Sequence, residues 1–378
     1  MTDNREGVVQ GHDVRARSAE VPVTLAFAHS HEETARELVG TLDQLEVRRP
    51  LFVFGRTGRE LIGRSLAIDC RPRFECALFQ ASGALLDEVD MLERAIAAEG
   101  ADVVVSCGGG QTLDVGKFAA FRRRLPFISV PTQATHDGIC SPVAVLRGPG
   151  DARASSYGAR TPAALVVPLH VIAHAPRPTL LSGMADLAAN VIAVEDWLWA
   201  HQFRDEPYDH YAALLARSAA QLVLGRRHLL SRDAELVAED IESLVHGLVL
   251  SGLAMTLAGS SRPCSGPEHL ISHAFDLLGL GSGTHGEQVG VGSVLAVRLY
   301  AADLNPVVEL LRATGAPMYP ADLGIATDDA ARAVKMAHLV RPERHSRLSS
   351  AIIADPDFID ELIESAWIAP SREARSEA

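Results

Sequence analysis

Short apolar runs alternate with longer stretches of helical periodicity through the first half of the chain. Leu51-Phe-Val-Phe54 ends in Gly55, and a helical stretch follows to Ala67. Glu75-Cys-Ala-Leu-Phe79 reads as a strand and residues 85–98 as a helix with acids early in it. Asp102-Val-Val-Val-Ser106 is a buried strand stopped by three glycines; a helix over 112–121 and the strand Pro126-Phe-Ile-Ser-Val130 follow. This alternation predicts a parallel, doubly wound sheet, because parallel neighbours need a crossover long enough to hold a helix. From Pro178 the pattern changes: residues 180–202, 208–230, 233–259 and 267–278 all have helical spacing, with no strand run among them. The expected organisation is a tail at 1–20, an α/β domain at 21–177, an all-helical domain at 178–370 and a tail at 371–378. The boundary falls at Ala175-Pro-Arg-Pro178, where two prolines interrupt regular structure.

Composition narrows the function. A formal charge of −13 disfavours nucleic acid and anionic membranes as partners. An anionic substrate must therefore meet a local cation or a metal. Five cysteines without a Cys-x-x-Cys pair argue against a disulfide framework and for a reducing, cytoplasmic setting. The first twenty residues lack the apolar stretch of a signal peptide. The apolar stretch 244–259 reads as a core helix, since a spanning helix needs about twenty mostly apolar residues.

Gly108-Gly109-Gly110 stands between a buried strand and a helix, where backbone N–H groups and a helix N-terminus can cradle a pyrophosphate. It is neither Gly-x-Gly-x-x-Gly nor a P-loop. Just past the next strand, Pro131-Thr-Gln-Ala-Thr-His-Asp-Gly-Ile-Cys-Ser-Pro142 packs hydroxyls, an amide, a histidine and an acid into one loop, at the edge where open α/β sheets bind ligands. In the helical half, Ser265-Gly-Pro-Glu268 reads as a capping box, so a helix begins just before His269 and places His273 on the same face. On spacing alone that pair suits capping as well as ligation. His285 follows in Gly283-Thr-His-Gly-Glu-Gln288, and Asp186 lies in Gly183-Met-Ala-Asp186.

Taken in order, Gly-Gly-Gly-x-x-x-Asp-Val-x-Lys at 108–117, the Pro-Thr-x-x-x-His-Asp-Gly loop, Gly-x-x-Asp at 183–186, Glu-His-x-x-Ser-His at 268–273, His-Gly-Glu-Gln at 285–288 and Arg-Pro-Glu-Arg at 341–344 resemble the sn-glycerol-1-phosphate dehydrogenase family. That family sits within the iron-containing alcohol dehydrogenase and dehydroquinate synthase superfamily, with its active site in the cleft between an α/β and a helical domain. The resemblance implies that Gly108, Gly109, Gly110, Gln111 and Thr112, with Thr132, Gln133, Ala134, Thr135 and Ser141, contact a nicotinamide dinucleotide. It implies that Asp186, His269 and His285 hold one divalent ion, with zinc expected and nickel or iron as alternatives. Asp137 and His273 would act in catalysis and touch the substrate, as would Asp186. The implied reaction interconverts dihydroxyacetone phosphate and sn-glycerol 1-phosphate, in a homo-oligomer of two subunits or more. Another polyol, a phosphonate, an aminocyclitol or a cyclase chemistry remains open from the residues alone. Gln80-Ala-Ser82, after the strand ending at Phe79, offers no acid for an adenosine ribose, so NADP stands beside NAD. Arg262, in the turn leading to His269, is the candidate to grip the substrate phosphate.

Overall fold

The computed structural model describes residues 21–150, 154–228, 230–231 and 235–368. Its strands are β1 (Thr24–Ala28), β2 (Pro50–Phe54), β3 (Ala77–Gln80), β4 (Val103–Gly108), β5 (Phe127–Pro131), β6 (Val143–Arg147), β7 (Ala154–Gly158) and β8 (Ala164–Pro168). Six form one parallel sheet in the order β1-β8-β5-β4-β2-β3, and β6 and β7 pair as a separate antiparallel hairpin. The doubly wound expectation holds. Alternate residues explain it: Leu51, Val53 and Val104 enter one core, while Phe52, Phe54, Val103, Val105 and Cys107 enter the other, on the opposite face. A strand buried on both faces needs a continuous apolar run, and Val103-Val104-Val105 supplies one.

Two features escape the sequence pattern. β1 is a five-residue edge strand, only half-buried, and too short to announce itself. In the β6–β7 hairpin, β7 is Ala-Ser-Ser-Tyr-Gly at 154–158, mostly exposed and without an apolar run, while β6 is a short alternating strand that buries Ala144 and Leu146. β3 also begins at Ala77 rather than Glu75.

Beyond Pro168 the described chain is helical. The expected helix over 180–202 is two, Arg177–Ala188 and Asn190–Arg204, divided at Ala189. The apolar stretch at 244–259 belongs to the helix Ala238–Ala258, whose 21 residues are long and apolar enough to cross a membrane. The length argument against a span therefore fails. Burial accounts for the composition instead: Leu244, Val245 and Leu248 are fully enclosed in the core shared with its neighbours. The C-terminal segments are fastened by Asp196, a fully buried acid on the helix Asn190–Arg204. Asp196 accepts from Tyr300 Oη (2.6 Å), Ser346 Oγ (3.1 Å) and the Arg347 amide (2.9 Å), and pairs with Arg262 (3.0 Å).

At Gly183 the helical half meets the carboxyl edge of the sheet without a side chain between them. A Cβ on Gly183 would lie 1.9 Å from the Ala134 carbonyl oxygen in the loop after β5. Gly183→Ala must push helix and loop apart and should cost about 1–3 kcal/mol by overpacking, measured by urea denaturation. A variant of parental stability would show that the contact yields freely.

Candidate active site

β4 and β5 are neighbours, so the loops that follow them lie side by side; Thr132 N–H donates to Gly108 O (3.0 Å). Gly109 caps the helix Gly110–Arg123 without any side-chain hydrogen bond, which leaves the helix N-terminus open to an anion. The turn is built for absent side chains: a Cβ on Gly109 would come 2.8 Å from Gln133 Oε1, and one on Gly110 2.6 Å from His136 Nε2. Gly110, Gln111 and Ser141 face a cavity of about 1200 Å³. Ala134 is fully buried, and Thr135 gives its carbonyl to Ser182 Oγ (3.2 Å), so these two position the loop rather than line the cavity. Thr112 packs beneath Gly108.

The same cavity reaches the helical half, where three donors converge. Asp186 Oδ1 lies 3.4 Å from His269 Nε2 and 3.6 Å from His285 Nε2. One donor atom from each of the three falls within 4.8 Å of the others. Ligand atoms bonded to one tetrahedral ion at about 2.0–2.1 Å are separated by roughly 3.3 Å, so a carboxylate and two imidazoles at this spacing fit a divalent cation. The helix Pro267–Leu278 begins where expected, yet its cap differs: Gly266 is the N-cap, and Ser265 is engaged by Arg344 instead. Glu268 Oε1 accepts from the Gly266 amide (2.7 Å) and faces His269 Nδ1 (2.8 Å), which fixes the ring so that Nε2 points at Asp186. His285 opens the next helix, His285–Ala296, held by a capping box between Thr284 and Glu287.

Asp137 and His273 flank these donors. The Asp137 amide donates to Asp186 Oδ2 (3.4 Å), and its carboxylate accepts from Ser251 Oγ (2.9 Å), itself held by Asn190 Nδ2 (3.0 Å). The His273 ring is stacked on His285 with centroids 5.9 Å apart. Burial and the neighbouring Asp186 charge push Asp137 up to about 6. Burial, aided by His285 and Arg341, holds His273 well below the usual imidazole range, hence neutral. Burial also drives His285 down to about 3. At His269 burial acts the same way, but hydrogen bonds to Asp186 and Glu268 outweigh it and raise the ring to about 9.

Arg262 does not face the cavity. It is buried, pairs with Asp196 (3.0 Å) and Glu206 (2.7 Å), and donates to the His345 carbonyl (3.1 Å). Its adjacency to His269 in sequence hid an inward turn, and the phosphate role assigned to it falls. Three arginines line the cavity, Arg147, Arg160 and Arg341, and Arg344 stands close to the last through a shared Ser261 hydroxyl. Arg341 lines the cavity, 3.4 Å from His273 Nε2, and reaches Ser261 Oγ and Ser156 Oγ (both 3.3 Å). Arg344 donates to Ser261 Oγ (2.8 Å) and Ser265 Oγ (2.7 Å). Among the described residues neither has a carboxylate within ion-pair distance, and burial together with the Arg341 and Arg262 charges lowers Arg344 to about 9. Both stand in the Arg-Pro-Glu-Arg motif, which signalled them by resemblance but not by role. His136 was likewise within a chosen motif; it lies between Gly110 and His285, 6.2 Å from the latter between centroids.

The sheet, the glycine turn and the paired imidazoles beside a carboxylate define an oxidoreductase of the iron-containing alcohol dehydrogenase class, and the family model of that description matches residues 29–176. Solved structures share the fold: a probable glycerol dehydrogenase from Sinorhizobium meliloti superposes with a TM-score of 0.72 at 22% identity, covering 92% of this chain and 99% of the other. A sulfoacetaldehyde reductase from Bifidobacterium kashiwanohense in complex with NAD+ gives 0.72 at 18% identity, covering 92% and 98%. In sequence, the glycerol-1-phosphate dehydrogenase [NAD(P)+] of Pyrococcus abyssi is 37% identical over 82% of this chain and 89% of its own length. That of Methanosphaerula palustris is 37% identical over 82% and 84%. The chain belongs to the glycerol-1-phosphate dehydrogenase family. It is accordingly an NAD(P)-dependent dehydrogenase of a metal-containing class.

A divalent ion entering the Asp186–His269–His285 set must displace the His269 proton. Zinc titrated calorimetrically at pH 7, in buffers of different ionisation enthalpy, should release about one proton per ion, and affinity should rise up to about tenfold per pH unit toward pH 9. Binding without proton release would contradict the raised His269. His269→Ala should lose the ion and His273→Ala keep it; equal metal contents would overturn this division of roles.

Proposed function

We propose that the protein interconverts dihydroxyacetone phosphate and sn-glycerol 1-phosphate, with zinc as the resident ion. One observation carries the reading: a single cavity is lined by Gly110 of the glycine turn, by the three converging donors and by Arg341, which among the described residues has no carboxylate within ion-pair distance. Asp186, His269 and His285 would hold the cation, which would act as a Lewis acid on a carbonyl oxygen while the nicotinamide exchanges the hydride. Gly108 to Gly110 and the helix that follows would receive the pyrophosphate, with Gln133 and His136 closing the turn.

This chain's own residues then have distinct work. Arg341, with Arg344 packed behind it, would take the substrate phosphate; two clustered guanidiniums repel each other until a dianion joins them, and planar arginines suit phosphate geometry. A neutral His273, beside Arg341, would hydrogen-bond a substrate hydroxyl. Asp137, held near neutrality by burial and Asp186, would accept or return the hydroxyl proton, because a group titrating near the working pH can do both. The two halves of the chain enclose this chemistry and limit water.

Cofactor oxidation is to be followed with dihydroxyacetone phosphate, dihydroxyacetone and glycerol as substrates or products. Preference for the phosphorylated ketone is expected, and its absence would overturn the assignment. Arg341→Ala should raise KM for the phosphorylated ketone roughly 10–100-fold, the worth of a charged hydrogen bond, and leave the unphosphorylated one within about threefold. Arg262→Ala should instead strand Asp196 without its cation, destabilise the fold by about 3–5 kcal/mol and impair both substrates alike.

A further inference from the structure

The order of strands locates the adenosine end of the dinucleotide. Along the sheet, β4 carries the glycine turn, β5 lies on one side of it, and β2 and then β3 lie on the other. The loop leaving β5 reaches the three donors through Asp137 and Asp186 (3.4 Å). A dinucleotide whose redox end points there must extend its adenosine half over β2. In doubly wound dinucleotide-binding sheets the residue ending this adjacent strand meets the ribose: an acid takes the free 2′-hydroxyl, and an arginine nearby takes a 2′-phosphate. The place after Phe79, at the end of β3, is one strand too far out, since β3 pairs with β2 and not with β4.

β2 ends at Phe54, opposite Cys107 of β4, and is followed by Gly55. The backbone there abuts the glycine-turn helix, because a Cβ on Gly55 would come 3.0 Å from Thr112 Oγ1. Where an acid would stand there is no side chain. Arg56 and Arg59 follow, both exposed, and neither pairs with a carboxylate among the described residues. Arg59 Nη1 donates to Gln80 Oε1 (2.9 Å), the last residue of β3, which holds its guanidinium across the ends of the two strands. The first carboxylate after β2 is Glu60, within the helical run. On a chain of charge −13, two such arginines at this edge form a local exception.

We propose that Arg56 and Arg59 bind the 2′-phosphate of NADP(H) and make the phosphorylated dinucleotide the favoured cofactor. The proposal rests on the reading of Gly108 to Thr112 as the dinucleotide turn. Binding, not turnover, tests it. NADPH and NADH are titrated by fluorescence, and adenosine 2′,5′-bisphosphate against adenosine 5′-phosphate by calorimetry, on the full-length protein, Arg56→Ala, Arg59→Ala and Arg59→Lys. The parent should bind NADPH at least about tenfold more tightly than NADH. Each alanine should weaken NADPH and the bisphosphate about tenfold while leaving NADH within about twofold, and lysine should restore part of the loss. Equal affinity for the two dinucleotides in the parent, or losses shared equally by both, would overturn the assignment. Failure of the parent to bind either dinucleotide would instead sink the reading of the glycine turn, and this proposal with it.

Discussion

Everything at the site depends on one close approach, the helix Arg177–Ala188 resting on the backbone of the loop after β5. With no side chain at Gly183, the Ala134 carbonyl meets the helix directly, and Asp186, one turn further on, comes within reach of the Asp137 amide. The loop is braced from its other side by Lys117. That ammonium is almost wholly buried, and its three donors are met by Asp114 Oδ1 (3.3 Å), Gly138 O and Val143 O (both 2.7 Å). A buried cation stripped of water is tolerable only when each N–H has an acceptor. The glycine-turn helix, the loop and the hairpin are thereby fixed to one another before any ligand is present.

The donor set shows how a polar centre is made rigid inside an apolar core. His269 is gripped at both ring nitrogens by carboxylates, and its neighbour Glu268 is fully enclosed. His285 and His273, lacking such partners in equal measure, stay neutral. The three imidazoles therefore differ in proton affinity by environment alone, although they share a ring and a pocket.

Much of this was legible in the chain. Strand and helix periodicity yields the doubly wound sheet, since apolar runs buried on both faces leave a plain mark. His269 and His273 could be placed on one face because the Pro-Glu start sets the helix register. What could not be read has a common cause: contacts distant in sequence. Arg262 reaches Asp196 and Glu206, far upstream, so its neighbourhood in sequence says nothing of its direction. The order of strands in space differs from their order along the chain, so the strand nearest the glycine turn is not the one preceding it. β7 is made of small and polar residues, and its place comes from pairing with β6, which buries Ala144 and Leu146. Ser265 matched a capping pattern but was claimed by Arg344.

Arg341 and Arg344 arrive on a short stretch that lies outside the helices bearing the donors, and that stretch is secured just downstream, where Ser346 Oγ and the Arg347 amide bond to Asp196. On the proposed reading, substrate charge and the metal would be met by separate pieces of chain, with the arginine stretch anchored through the buried Asp196. Such a layout is modular in heredity. On that reading, substitution of Arg341 would alter which anion the cavity admits without removing any of the three donors.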